Sequence, residues 1–309
     1  MRHLISITDL PDDDLPAVVA RASAFADCRG RLGTDLPLAG ALVGIYFRRT
    51  STRTRTAFSA GALRLGARIV SYGPDDLQLA TGETTEDTGR VLAGMLDVLV
   101  ARTADPADEL RTWAAAGPMS VINAMAAEEH PTQALADLTT LSRHFGRVAG
   151  LRVLYLGEGN NTASALALAL SRFPGTHLEL RTPTGYGVAP DLLAAARRQA
   201  AASGSAVAER HDMDELPEDF DVVYTTRWQT TGTSKHTADW REVFAPFQVT
   251  DRLWLTSPKA VFMHDLPAHR GEEVTAEVLD GPRSIAFAQA ENKLYSAMAA
   301  LDWCWAGPR

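Results

Sequence analysis

The chain has 309 residues, of which 46% are hydrophobic and 22% are charged, and its formal net charge is −8. A globular chain of this length buries a sizeable core and commonly forms two domains. The acidic balance argues against a general nucleic-acid-binding protein, because such proteins need a basic face.

The first part of the chain alternates short apolar runs with helical patterns. Strands are predicted at residues 41–47, 67–72, 97–102 and 119–124. Helices are predicted at residues 56–66, 85–96 and 106–116, and a longer helix follows at 132–146. Strands separated by helices of this length indicate βαβ units and therefore a parallel sheet.

The same alternation restarts after residue 150. Strands are predicted at residues 151–157, 177–181, 206–210, 221–226 and 260–264. Helices are predicted at residues 162–172, 190–203 and 288–304. We therefore expect an α/β fold with two doubly wound parallel-sheet domains, divided near residues 132–150.

A dense basic segment, RRTSTRTR (48–55), follows the first predicted strand. Its arginines repel one another unless an anion lies among them, and a helix start in this position offers free backbone N–H groups. The hydroxyls of Ser51, Thr52 and Thr54 and the guanidiniums of Arg53 and Arg55 would add donors for a phosphate. The alternative is a solvated, basic helix start with ordinary Ser/Thr caps.

The segment HPTQ (130–133) places His130 and Gln133 at the start of the long helix, with Pro131 suited to the first helical position. A histidine there could donate to a carbonyl oxygen, and the amide of Gln133 could bind another amide. The alternative for His130 is a helix cap or a packed polar group.

Two further segments resemble cofactor motifs only weakly. The polar segment FMHDLPAHRGEEV (262–274) matches no standard zinc spacing, so we expect a polar loop and no metal. The turn LGEGNN (156–161) starts like a dinucleotide-binding turn, but Thr162 stands where the third glycine would be. We therefore expect no nicotinamide and no other cofactor.

Four segments together resemble the aspartate/ornithine carbamoyltransferases. They are STRTR (51–55), LQLATGETTEDTGRVLAGMLDVLVART (77–103), HPTQ (130–133) and HDLPAHRGEEVT (264–275). The resemblance covers nearly the whole chain in the order and spacing of that family. It implies a carbamoyl phosphate-binding domain of residues 1–131 plus 288–309, a linking helix of residues 132–147 and an amine-binding domain of residues 148–287. It also implies that the C-terminal helix packs back on the first domain.

The resemblance assigns roles in a transfer of the carbamoyl group from carbamoyl phosphate to an amine. The phosphate would lie among Ser51, Thr52, Arg53 and Thr54. Thr54, Arg102 and His130 would form an oxyanion hole for the carbonyl oxygen. The carbamoyl NH₂ group would be bound by Gln133 and by the backbone carbonyl of Leu266, with Lys293 and Gln78 also at the carbamoyl phosphate. Gln78 would reach the site of a neighbouring subunit, because the basic unit of the family is a trimer.

The amine side departs from both branches of that family. Ornithine enzymes carry Cys within HCLP and aspartate enzymes carry Pro, whereas this chain has Asp265. The segment DVVYTTRWQTTG (221–232), with Arg227 and Gln229, resembles the aspartate-binding loop, whereas AHRGEE (268–273) and GNN (159–161) resemble the ornithine branch. Lys293 stands where ornithine enzymes usually have Arg.

From this hybrid pattern we predict an amino acid or related amine of specialised metabolism as acceptor. The predicted amine-binding residues are Asn161, Asp221, Thr225, Arg227, Gln229 and Asp265. Asp265 could pair with the ammonium or take its proton, and the alternative is that it caps local backbone. Ornithine as the acceptor, and a non-catalytic carbamoyl phosphate-binding paralogue, remain open.

The sequence also predicts where the protein acts. Only Cys28 and Cys304 are present, which fits a reducing compartment. The chain start lacks the apolar run of a signal peptide, and no run reaches the roughly 18 apolar residues of a membrane span. We therefore expect a cytoplasmic protein that binds neither membrane nor nucleic acid. The resemblance implies that it is a homotrimer with shared active sites.

Overall fold

The computed structural model describes residues 1–34, 36–230, 234–235 and 238–307. The chain divides into two compact units, which are described separately. Unit 1 comprises Met1–Thr139 and Glu291–Arg309, and unit 2 comprises Thr140–Ala290. Each unit contains a parallel β-sheet with helices, so the predicted α/β class is confirmed.

The secondary structure follows the predicted alternation. In chain order the α-helices of the described residues are α1 (Asp14–Asp27), α2 (Arg53–Arg64), α3 (Thr85–Ala93), α4 (Asp108–Ala115), α5 (Pro131–Phe145), α6 (Asn161–Leu170), α7 (Pro190–Ser203), α8 (Trp240–Phe244), α9 (Ala276–Leu279) and α10 (Ala286–Trp305). The strands are β1 (Leu42–Phe47), β2 (Arg68–Tyr72), β3 (Val98–Arg102), β4 (Ser120–Asn123), β5 (Arg152–Leu156), β6 (His177–Arg181), β7 (Ala206–Arg210), β8 (Val222–Thr225) and β9 (Val261–His264). Within the described ranges, every helix is too short or too polar to cross a membrane.

In unit 1 the strand order is β2-β1-β3-β4, and all neighbours are parallel. The register pairs Phe47 with Arg102, and the N–H of Arg48 donates to the carbonyl of Arg102 at 2.9 Å. The segment after β1 and the end of β3 therefore meet at one edge of the sheet. That edge is where parallel α/β sheets bind ligands.

The C-terminal helix packs on unit 1, as predicted. Asp302 of α10 accepts from Arg21 of α1 at 2.8 Å, and Trp303 donates to Asp14 at 2.7 Å. Met298 packs so closely on α2 that a Cβ added at Gly61 would lie 3.1 Å from its Cγ. A larger residue at that glycine would therefore push the two helices apart.

In unit 2 the strand order is β7-β6-β5-β8-β9, again all parallel. The register pairs Leu156 with Thr225 and Thr225 with His264. The carboxyl ends of β5, β8 and β9 therefore lie side by side. Residues that follow these three strands are candidates for one common site.

The turn after β5 has a packing reason for its second glycine. The N–H of Gly159 donates to the carbonyl of Tyr186 at 2.7 Å. A Cβ added at Gly159 would lie 2.2 Å from the backbone nitrogen of Val188. The second glycine of the G-x-G pattern is required by this close backbone approach.

Candidate active site

The basic segment after β1 leads directly into α2. The helix begins at Arg53, three residues before the predicted start at residue 56, so Arg53 and Thr54 lie in its first turn. The N-cap residue is Thr52, whose side chain makes no capping hydrogen bond within the described part of the chain. Thr54 is buried, and Ser51 and Arg53 are half-buried. The unsatisfied N–H groups and positive end of this helix favour an anion.

One arginine of this segment already has anionic partners in the chain. Arg48 forms ion pairs of 2.6 Å with both Asp105 and Glu109, and its Nε donates to the hydroxyl of Tyr46 at 3.0 Å. Burial opposes the charge, but the hydrogen bonds to Glu109, Tyr46 and Asp105 outweigh it and raise the pKa of Arg48. The charge repulsion expected within the segment is therefore relieved at Arg48 by carboxylates of the chain itself.

A small cavity beside the start of α2 brings together four of the predicted residues. Thr54, His130, Gln133 and Lys293 line it, with Phe58 among its apolar neighbours. All four are at least nine-tenths buried. These residues come from α2, the start of α5 and α10, so the fold of unit 1 collects positions that are up to 239 residues apart in the sequence.

The imidazole of His130 is held in its neutral form. Burial is the main cause that lowers its pKa well below the ordinary value, and the positive charges of Lys293 and Arg102 lower it further. The hydroxyl of Thr132 lies 3.3 Å from Nδ1. When that hydroxyl donates to Nδ1, the hydrogen of the neutral ring is on Nε2. His130 can then donate from Nε2 to a ligand oxygen.

The side-chain amide of Gln133 is oriented by Asp137. Its Nε2 donates to Asp137 Oδ1 at 2.7 Å. An ionised carboxylate can only accept hydrogen bonds, so Nε2 of Gln133 is the amide atom that contacts Asp137, and Oε1 points away from it. Gln133 Oε1 is buried and accepts no hydrogen bond from the described residues. A buried acceptor of this kind is a binding point for an N–H group.

Gln78 lies elsewhere in unit 1. It begins a short 3₁₀ helix, Gln78–Thr81, and is exposed, and its side-chain oxygen accepts from Thr81 at 2.7 Å. Within the described chain it does not line the cavity of His130 and Gln133. Its expected role in the site of a neighbouring subunit stays a prediction.

The residue before His130 is a buried acid that the sequence analysis did not consider. Glu129 accepts from the N–H of Ile7 at 2.6 Å, and its backbone carbonyl accepts from Ala126 and Asn123. Burial raises the pKa of Glu129 to about 7, while the hydrogen bond from Ile7 lowers it. Glu129 thus ties the start of the chain to the segment that carries His130.

In unit 2, Asp265 lies where the ends of three elements meet. Its Oδ2 accepts from Thr162, in the first turn of α6, at 3.0 Å, and its Oδ1 accepts from Thr226, just after β8, at 2.9 Å. Thr162 and Thr226 were not predicted. The hydrogen bonds that the described residues give Asp265 come from other elements rather than from its own backbone neighbours, which differs from a local cap.

His264 and Glu273 support the segment that contains Asp265 and Leu266. The N–H of Leu266 donates to His264 Nδ1 at 2.8 Å, so the hydrogen of a neutral ring lies on Nε2, 3.2 Å from Glu273 Oε1. Glu273 Oε1 also accepts from the N–H of His269 at 2.5 Å. Both His264 and Glu273 are fully buried. The expected role of the Leu266 carbonyl stays a prediction.

The other amine-side residues fall into two groups. Asn161 begins α6, and Arg227 and Gln229 follow β8, so all three lie at the same sheet edge as Asp265. Arg227 Nε is buried and makes no hydrogen bond to the described residues. The last residues of the aspartate-like segment, Thr231 and Gly232, lie outside the described residues.

Thr225 and Asp221 have structural partners instead. Thr225 is fully buried and donates to the carbonyl of Leu156 at 2.7 Å, which joins β8 to β5. Asp221 precedes β8 and accepts from the N–H of Arg152, at the start of β5, at 2.8 Å. The structure therefore places Asp221 at the amino ends of the strands and does not bring it together with Asp265.

Both halves of the chain match one known protein family. Residues 2–143 match "Aspartate/ornithine carbamoyltransferase, carbamoyl-P binding domain", and residues 149–304 match "Aspartate/ornithine carbamoyltransferase, Asp/Orn binding domain". The ornithine carbamoyltransferase of Symbiobacterium thermophilum is 40% identical over 304 residues, which cover 97% of this chain and 96% of that protein. The ornithine carbamoyltransferase of Thermococcus kodakarensis is 40% identical over 301 residues, which cover 97% and 95%.

Solved structures extend the match to three dimensions. The ornithine carbamoyltransferase of Pyrococcus furiosus superposes with a TM-score of 0.93 at 34% identity, covering 100% of this chain and 98% of that one. That of Gloeobacter violaceus superposes with a TM-score of 0.86 at 32% identity, covering 99% of both chains. The chain therefore belongs to the aspartate/ornithine carbamoyltransferase family of enzymes.

Proposed function

We propose that the protein transfers the carbamoyl group of carbamoyl phosphate to the amino group of an amino acid or related amine and releases phosphate. The acceptor's ammonium first loses a proton, and the neutral amine then attacks the carbamoyl carbon. The bond from that carbon to the phosphate oxygen breaks, and the nitrogen gives up one further proton, to Asp265 or to the departing phosphate. Family membership supports the reaction class. The roles of individual residues are part of the proposal.

The orientation of Gln133 is the observation that carries the carbamoyl half. Asp137 accepts from the nitrogen of Gln133, which lines the cavity, and the oxygen of the same amide accepts no hydrogen bond from the described residues. That oxygen would accept from the carbamoyl NH₂ group. An ester or acyl phosphate without an N–H would leave it unsatisfied, which costs about 1–3 kcal/mol.

The oxygen atoms of carbamoyl phosphate would be bound by donors of the same unit. Ser51, Thr52, Arg53 and Thr54 would bind the phosphate at the start of α2. Arg102 and neutral His130 would donate to the carbonyl oxygen, where negative charge grows as the amine attacks. Lys293, which helps to keep His130 neutral, adds positive charge for the same ligand.

The amine would be bound by unit 2. Asp265 would attract its ammonium or take its proton, and Arg227 would pair with its carboxylate through a guanidinium that has a buried, unsatisfied Nε within the described chain. Ornithine is the second, more specific candidate, because relatives that are 40% identical are named ornithine carbamoyltransferases. Asp265 favours an acceptor that presents an ammonium.

The test is turnover of carbamoyl phosphate with a panel of amines that contains ornithine, lysine, 2,4-diaminobutyrate, aspartate and putrescine. We expect one amino acid of the panel to give phosphate and an equal amount of carbamoylated product. Carbamoyl phosphate binding without turnover of any amine would favour a non-catalytic paralogue. Failure to bind carbamoyl phosphate would overturn the proposal.

A further inference from the structure

The most deeply buried ammonium of unit 2 lies outside the residues discussed so far. The side chain of Lys235 is 4% exposed and forms an ion pair with Glu158, the second residue after β5. Its Nζ lies 4.8 Å from the ring centres of both Tyr186 and Phe244 and 6.0 Å from that of Trp240. We call Glu158 and these three rings the lysine cage. Aromatic rings around a desolvated cation stabilise it through their negative faces.

Glu158 binds a second point of the chain that follows β8. Its Oε2 accepts from the hydroxyl of Thr230 at 3.1 Å. The same hydroxyl accepts from the side-chain nitrogen of Asn160 at 3.0 Å. Glu158 is itself fixed, because its backbone carbonyl accepts from the hydroxyl of Tyr155 at 2.7 Å. One carboxylate, on a residue whose backbone is anchored near the end of β5, therefore contacts both Thr230 and Lys235.

The lysine cage also contacts the residues around Arg227. The rings of Trp228 and Phe244 lie 5.5 Å apart, and Trp228 packs on Gly157, where an added Cβ would lie 3.3 Å from the indole. Trp228 lies between Arg227 and Gln229 in the chain, and Thr230 follows them. The segment with Arg227 and Gln229, two of the predicted amine-binding residues, thus contacts the cage at Trp228 and Glu158 at Thr230.

We propose that Lys235 and Glu158 are positioning residues that hold Arg227 and Gln229 in place for the carboxylate of the amine substrate. The inference rests on the proposed function of this unit as the amine-binding half. Lys235 acts as an internal cation: it neutralises Glu158 and fills the space among the rings. Without it, the partly buried Glu158 loses its ion-pair partner, and Phe244, which packs on Trp228, loses a contact with the ammonium.

The test compares Lys235→Met, which keeps the length of the side chain and removes its charge, with Lys259→Met, which changes an exposed lysine of the same unit. We expect Lys235→Met to raise the KM for L-ornithine, or for the best acceptor of the panel, roughly tenfold or more. The dissociation constant of carbamoyl phosphate should not change. Glu158→Gln should likewise raise the KM for the amine and leave the dissociation constant of carbamoyl phosphate unchanged. Lys259→Met should behave as the unmodified protein.

A rescue experiment separates positioning from a general loss of structure. Lys235→Ala should also raise the KM for the amine and change the intrinsic tryptophan fluorescence, to which Trp228 and Trp240 contribute. It leaves a space of the size of an alkylammonium ion, so added ethylammonium should reverse both changes. Lys259→Ala should show neither effect. If ethylammonium restored the fluorescence but not the KM for the amine, the inference would be overturned while carbamoyl transfer stayed intact. An unchanged KM in Lys235→Met would overturn it in the same way. If the unmodified protein carbamoylates no amine, the proposed function fails instead, and with it the positioning role.

Discussion

The side-chain nitrogen of Gln133 donates to Oδ1 of Asp137 at 2.7 Å, one helical turn further along α5. This contact decides which end of the amide faces the cavity that Gln133 shares with His130. An amide can otherwise turn by 180° at little cost and present a donor where an acceptor is needed. We therefore expect Asp137 to favour a ligand with an N–H group.

The first prediction is that Asp137→Asn weakens the binding of carbamoyl phosphate roughly tenfold, about 1.4 kcal/mol. An asparagine can accept or donate, so Gln133 is no longer held in one orientation. Isothermal titration with carbamoyl phosphate measures the effect, and inorganic phosphate is the control ligand because it has no NH₂ group. An equal loss of affinity for both ligands would show that the substitution damages the whole site.

The second prediction concerns the phosphate end of the same ligand. Arg53→Ala should abolish measurable binding of carbamoyl phosphate and phosphate, because it removes a charge-assisted donor in the first turn of α2. Arg64→Ala, an exposed arginine in the last turn of the same helix, is the matched control and should bind normally. Retained binding by the Arg53 variant near the unmodified affinity would refute the phosphate cradle.

The third prediction uses the buried acid Glu129, whose pKa is raised from 4.5 to about 7 by burial. Between these two values the folded chain keeps a proton that the unfolded chain has released. The contribution of this carboxyl to the free energy of unfolding is therefore fully present below pH 4.5. It is lost as the pH rises through 7, at about 1.4 kcal/mol for each pH unit. Glu129→Gln, whose amide oxygen can still accept from Ile7, should be more stable than the unmodified protein at pH 8 by at most about 3 kcal/mol, and nearly equal to it at pH 4.5.

Denaturant unfolding at several pH values measures that difference. Glu128→Gln is the matched control, since Glu128 is the exposed neighbour of Glu129. We expect its stability to follow that of the unmodified protein at each pH. We expect the stability of Glu129→Gln, relative to that of the control, to rise between pH 5 and pH 8. A fall over the same range would contradict the raised pKa of Glu129.

Much of the fold was predictable because buried parallel strands are continuous apolar runs and the helices between them are amphipathic. The predicted ranges 177–181 and 190–203 coincide with β6 and α7. Helix α1 was not predicted, although its buried residues Leu15, Val18, Val19 and Ala22 have helical spacing. Its partners Asp302 and Trp303 lie near the other end of the chain, so the sequence around α1 does not reveal the surface that it covers.

The candidate site was predictable where residues are close in sequence and not where they are distant. Gln133 and Asp137 are four residues apart on one helix face, so helical periodicity could have revealed their contact. The donors to Asp265 are 39 and 103 residues away, and only the order β5-β8-β9 brings them together. The partners of Arg48 were likewise not predicted, because Asp105 and Glu109 follow a different strand.

The fourth prediction is that the protein is an obligate oligomer in which Gln78 completes the site of a neighbouring subunit. The family resemblance of residues 77–103 predicts that this oligomer is a trimer. Gln78 is exposed and lies outside the cavity of its own chain within the described residues. Mixed oligomers of inactive Gln78→Ala and Arg53→Ala chains should regain some activity, because some sites then combine two unmodified halves. Sedimentation of a fully active monomer, or mixtures that regain nothing, would refute the shared site.

The fifth prediction concerns Asp265, which accepts hydroxyl hydrogens from Thr162 and Thr226 and has a side chain that is 15% exposed. Two hydroxyl donors orient the carboxylate and leave lone pairs on both oxygens for an ammonium. A carboxylate also repels a substrate carboxylate, so we expect aspartate to be a poor acceptor, and the true acceptor to keep its negative group at the Arg227 end.

Asp265→Asn keeps the size of the side chain and removes its charge, and Asp251→Asn, at an exposed aspartate of the same unit, is the control. We expect the Asp265 variant to lose amine-dependent turnover and to keep its affinity for carbamoyl phosphate. A loss of roughly two to four powers of ten in kcat/KM for the amine indicates a general base. A loss near tenfold, about 1.4 kcal/mol, indicates attraction of the ammonium alone. Unchanged kinetics with the best amine, or efficient carbamoylation of aspartate by the unmodified protein, would remove Asp265 from the mechanism.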